Sequence, residues 1–181
     1  MQKKISLLLF FLLITYIPVL SQSKVKEVNE PEGGFSYFVP ASWIVSSMEG
    51  MPYQIARDKP VNGFTPNINI LKEKNKFTFE EYYKANIAQL KEFYTDYKEI
   101  TTEEFSTTAG LKGKKHLCSD KQVGKNLFQV FYFFESKDKS KIIITGSSLI
   151  EDKDKYLPVF DSIAKSFKTI KYVTISKISK G

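Results

Sequence analysis

The stretch LFQVFYFFE, residues 127–135, is apolar at both odd and even positions over nearly its whole length. Side chains alternate between the two faces of a strand, so a strand with apolar residues on both parities must be covered on both sides. The next apolar run, KIIITGSSLI at 141–150, follows after the short polar turn SKDKS. That spacing predicts an antiparallel hairpin at the centre of a sheet. Two layers of cover are then needed, and the chain offers two amphipathic helices.

The first helix is marked by a capping box. Thr78 caps, Glu81 reaches back three residues later, and Phe77 can staple against Tyr82. Tyr83, Ile87, Leu90, Tyr94 and Tyr97 recur at intervals of four and three and predict one apolar stripe, opposite Lys84, Gln89 and Lys91. The last helix is expected to start within EDKDK, 151–155, where acidic residues complement the positive helix end. Pro158 is placed in its first turn, where an amide needs no intrahelical partner. Leu157, Phe160, Ile163, Ala164 and Phe167 mark its buried face.

Shorter strands are predicted at FSYFV from Phe35, closed by Pro40, at WIVSS from Trp43, at YQIAR from Tyr53, and at NINIL, 67–71. KEITTEEF, 98–105, leads through an Ala109-Gly110 turn into the alternating LKGKKHLCS. The fold class expected is α+β, an antiparallel sheet with helices packed on both faces. One domain spans 35–170, preceded by a polar, mobile leader at 24–34 and followed by a basic tail at 171–181 that can add an edge strand.

The first 23 residues read as a secretory signal peptide. Lys3 and Lys4 precede an apolar run from Ile5 to Leu20, and small residues permit a cut after Ser21 or Ser23. The alternative, an uncleaved anchor helix, is disfavoured by a short run broken at Pro18. The product is expected to be secreted or periplasmic, with no stable membrane span after cleavage. No cysteine lies near the cut, so no lipid anchor is expected.

Charge narrows the function classes. The chain of 181 residues has 27 basic and 20 acidic side chains, for a net charge of +7, but Arg57 is its only arginine. Lysine is a hydrated point charge suited to solvated faces, whereas nucleic-acid readers favour arginine and a basic stripe. No nucleic-acid partner is expected. The single cysteine excludes an intramolecular disulfide.

The elements occur in an order that resembles the PsbP-like and DcrB-like family. The resemblance rests on FVPASW with Pro40 and Trp43, the FTFEEY helix start, AGLKG with Gly110 and Gly113, and YLPVFDSIAKSFK ending in Ser166-Phe167-Lys168. It covers roughly residues 34–168. What it implies is an α/β/α sandwich and a binding or accessory role without a shared active site. Plant photosystem subunits, bacterial envelope proteins and a nuclear factor that binds a small GTPase share that family. Fold alone assigns no function.

KKHLCSD, 114–120, holds the only histidine and the only cysteine. In a strand, His116, Cys118 and Asp120 share one face, yet cysteine sits where a triad requires the base. His116 and Asp120 also start about 13 Å apart along the strand. A buried, inert thiol is the preferred reading over catalysis. EDKDK lacks the glycine and the oxygen count of a calcium loop. Glu80-Glu81 and Glu103-Glu104 are adjacent pairs whose neighbours diverge, so they make no acid–base pair. No catalytic, cofactor or metal residue is therefore assigned, and no cofactor is expected.

The reading is an exported, monomeric, non-enzymatic binding or accessory protein, its partner an unidentified protein or envelope component. Two alternatives stand beside it. One is an enzyme using Cys118 and His116 in a cleft; the other is a lysine-rich module docking on an anionic envelope surface.

Overall fold

A computed structural model describes residues 24–170. The signal peptide expected at 1–23 and the tail at 171–181 lie outside the described residues. The described residues form ten strands and two α-helices: β1 (Val25–Glu30), β2 (Phe35–Pro40), β3 (Ile44–Ser46), β4 (Ile55–Arg57), β5 (Asn67–Lys74), α1 (Phe79–Phe93), β6 (Thr95–Ser106), β7 (Lys112–Gln122), β8 (Lys125–Glu135), β9 (Ser140–Leu149), α2 (Lys153–Ser166) and β10 (Lys168–Thr169).

Two antiparallel sheets result. The larger has the order β3-β4-β5-β9-β8-β7-β6, and the smaller β1-β2-β10. The expected β8–β9 hairpin forms, in register from Leu127↔Leu149 to Glu135↔Lys141. Its neighbours β7 and β5 complete the middle of the large sheet.

β8 divides its side chains between two apolar clusters. Phe128, Val130, Tyr132 and Phe134 join a large cluster that includes Tyr156, Phe160, Ile163 and Phe167 from α2 and its C-cap. Phe131 and Phe133 join Tyr82, Ile87 and Cys118 in a smaller one, on which Phe79, Tyr83 and Leu90 also pack. The period of two that made LFQVFYFFE apolar throughout is thus used on both parities. The lysines of β7 repeat it: Lys114 pairs with Glu80 of α1 at 2.8 Å, and Lys115 with Asp161 of α2 at 2.9 Å.

Several expectations are corrected. The single sheet becomes two, because β2 pairs with β1 and β10 instead of entering the large sheet. Its Phe35, Tyr37 and Val39 are spent on the α2 cluster. The leader at 24–34 is not mobile over 25–30. Those residues pair one for one with β2, Val28 and Glu30 turn inward, and Glu30 Oε1 accepts the Gln54 amide at 2.9 Å. Polar composition hid a strand whose backbone partners and two inward residues suffice to order it.

The α1 capping box forms, with Thr78 and Glu81 bonded reciprocally. Phe77, expected to staple against Tyr82, stays 53% exposed. The helix ends at Phe93 with Tyr94 as its cap, and Tyr97 reaches the same cluster from β6. EDKDK straddles a 3-10 turn at Ile150–Asp152 and the start of α2, so Pro158 falls beyond the first turn. An interior proline removes one helix hydrogen bond. Burial of Tyr156 and Phe160 on either side of it holds the helix together.

α2 approaches the sheet closely at Gly146 of β9. A Cβ there would lie 2.6 Å from Cγ of Phe160. Glycine is therefore required by the ring above it and not by backbone dihedrals. Gly146→Val should lower stability by about 1–3 kcal/mol, since Phe160 is fully buried and cannot retreat. Urea unfolding measures this; an unchanged midpoint would show that α2 does not rest on β9 there.

Candidate functional site

α1 is one helix against a seven-stranded sheet. A helix about 10 Å wide spans only about two strands spaced about 4.8 Å apart. Beside it, over β5 and β9, a cleft of about 290 Å³ remains. Leu71, Leu90, Phe131, Phe133 and Ile143 supply its apolar wall, Met51 and Pro52 cap it from the β3–β4 connection, and Asn69, Asn86 and Thr145 add polar groups. Leu71 at 37% and nearby Met48 at 53% leave apolar surface in solvent. Asn86 Nδ2 donates to the Tyr82 carbonyl at 2.8 Å, which fixes the amide.

The sequence-derived trio lies elsewhere on the α1 side. His116 is fully buried. Its Nε2 lies 2.8 Å from the Tyr97 hydroxyl and its Nδ1 2.8 Å from Thr102 Oγ1, which in turn sits 3.2 Å from the Tyr83 hydroxyl. Hydroxyls thus occupy both ring nitrogens, and the Tyr97 ring stacks nearly parallel to the imidazole. Burial holds the His116 pKa below its usual 6.5. Burial, with Asp120 and Glu99 adding like charge, pushes the Cys118 thiol up to about 12. Such a sulfur is protonated at neutral pH and a poor nucleophile. Asp120 is also buried and its carboxyl is raised, again chiefly by burial.

The other sequence candidates resolve into structural contacts. Glu81 caps α1, Glu80 holds Lys114, and Glu103 holds Lys115 at 3.0 Å. Buried Lys141 is bonded to Glu135 at 2.6 Å. Among the described residues, no group of three or more His, Cys, Asp or Glu side chains gathers to hold a metal ion.

Sequence reasoning missed the cleft. Its one visible signal was NINIL: Ile68 and Ile70 point into the large cluster, which leaves Asn69 and Leu71 on the opposite parity. The alternation was legible, but the gap beside α1 depends on how far the helix reaches across the sheet.

No protein-family model and no curated protein matches the sequence. Solved structures match the fold. LpqN of Mycobacterium tuberculosis, described as involved in cell envelope biogenesis, superposes with a TM-score of 0.60 at 13% identity, over 81% of this chain and 92% of its own. The cyanobacterial PsbP protein CyanoP of Synechocystis gives 0.55 at 14% identity, over 83% and 95%. A Ran-binding protein of Saccharomyces cerevisiae gives 0.57 at 10% identity, over 82% and 97%.

The His116 environment carries a test. Because the folded value lies below the unfolded 6.5, its contribution to stability is complete above 6.5 and is lost as pH falls through the folded value. The urea midpoint should drop between about pH 7 and about pH 5. His116→Gln should flatten that slope; an equal slope in both proteins would place the titration elsewhere.

Proposed function

The fold is PsbP-like, and on it we propose an exported binding or accessory protein that holds a small amphiphile in the cleft beside α1. Export rests on the signal-peptide pattern of residues 1–23, and the product would be secreted or periplasmic. The layer order we infer is helix, sheet, helix, with the small sheet sharing the α2 side. Lys114 and Lys115, adjacent in sequence and bonded to different helices, support that order.

The observation that carries the reading is the cleft itself. At about 290 Å³ it stands at the small end of ligand pockets, and its composition is the usual one: apolar walls with a few polar groups to orient the guest. An acyl or aromatic body would sit on Phe131, Phe133 and Ile143, with its polar end toward Asn69, Asn86 or Thr145. The raised thiol pKa of Cys118 and the occupied His116 ring support a non-catalytic role. The lysine-docking alternative has less support, since Lys114, Lys115 and Lys141 are each committed to carboxylates.

Titration with 1-anilinonaphthalene-8-sulfonate should show a saturable site. Thr145→Phe, which fills the cleft from the sheet side, should weaken it about tenfold or more, equivalent to about 1.4 kcal/mol. Val25→Phe, on an exposed residue of β1, should leave binding unchanged. Equal affinity in a folded Thr145→Phe protein would exclude this cleft as the site.

A further inference from the structure

The floor of the cleft beside α1 is built in rows across β5, β9 and β8. Leu71 pairs with Ile143 and Ile143 with Phe133. Two residues along, Asn69 pairs with Thr145 and Thr145 with Phe131; two further, Asn67 pairs with Ser147 and Ser147 with Gln129. Successive rows on one face lie about 7 Å apart. The first row is wholly apolar, the second has its Asn69–Thr145 pair beside one phenylalanine, and the third is wholly polar. The floor therefore grades from hydrocarbon to hydrogen-bonding groups in a single direction.

The third row closes on itself. Asn67 Nδ2 donates to the Thr65 carbonyl at 2.9 Å, the Ser147 hydroxyl donates to the Gln129 side-chain carbonyl, and Ser147 and Gln129 are buried. The second row stays open. Asn69 and Thr145 are half-buried, line the cleft, and among the described residues have no side-chain hydrogen-bond partner. Among the described residues that line the cleft, none is charged. The row beyond Leu71 sets Glu73 opposite Lys141, whose ammonium is held by Glu135 at 2.6 Å, so that lysine is not free to take an anionic guest.

Resting on the reading of this cleft as a ligand site, we propose that its guest is a single-chain amphiphile with an uncharged amide or hydroxyl head. The chain lies over Leu71, Ile143 and Phe133. The head exchanges hydrogen bonds with the Asn69 amide and the Thr145 hydroxyl, each of which both donates and accepts. A carboxylate or ammonium head in the same place would lose hydration without gaining a counter-ion, which costs far more than desolvating a hydrogen-bonded neutral group. Selectivity is thus set by walls without charge and by the one polar pair left open on the floor.

Octanamide, octanoate and octylammonium share a chain and differ in head charge at about pH 8. Each is titrated into the protein and followed by the backbone amide shifts of Asn69, Leu71 and Thr145. Octanamide should saturate at a concentration about tenfold or more below the other two. Thr145→Val, which keeps the shape, and Asn69→Leu should each weaken octanamide severalfold and narrow its lead over octanoate. Equal or tighter binding of octanoate or octylammonium, or undiminished octanamide binding in both variants, would overturn this inference and leave the cleft as a site. No saturable shift with any of the three probes would overturn it together with the cleft reading.

Discussion

The burial of β8 on both parities is the constraint from which the other elements follow. Phe128, Tyr132 and Phe134 are fully buried on one parity, and Phe131 and Phe133 nearly so on the other. Leaving either set in water would forgo about 1.5–3 kcal/mol per side chain. α2 and the small sheet answer the first set. α1, anchored by its capping box, answers the second, with Tyr83 meeting Phe133 edge to face at 5.2 Å. Gly146 then permits the close approach of Phe160 that the first layer needs.

The same constraint leaves the candidate site. α1 satisfies Phe131 and Phe133 at the middle of the large sheet but does not cover its full width. The uncovered strip over β5 and β9 is apolar because Leu71, Ile143 and the Phe131 and Phe133 rings face it. Towards β6, α1 keeps contact through the Tyr83 hydroxyl, 3.2 Å from Thr102 Oγ1, and through Lys91, 3.4 Å from Glu99. The cleft therefore arises on the side of α1 away from β6.

Much of the fold was legible because local chemistry and global packing agree. The β8–β9 hairpin, the Thr78–Glu81 box and the α2 face at Phe160 and Ile163 each carry their own signal. β1 was not legible: VKEVNE is polar, and only its pairing with β2 turns Val28 and Glu30 inward. The second sheet was hidden for a related reason, since alternation reports which face is buried and not which strand is adjacent. His116, Cys118 and Asp120 were rightly placed on one face, but the partners that define them, Tyr97, Thr102 and Gln122, are set by tertiary register and by a local side-chain contact. The cleft was least legible, being a shortfall of cover that no single residue encodes.

The most direct test is a set of nuclear Overhauser contacts from the β8 rings. The account predicts contacts from Phe133 to Tyr83 and from Phe134 to Phe167, with no exchange between the two sets. Contacts from α1 protons to Phe134 or Tyr132, or none from α1 to Phe133, would contradict the two-sided burial on which everything else rests.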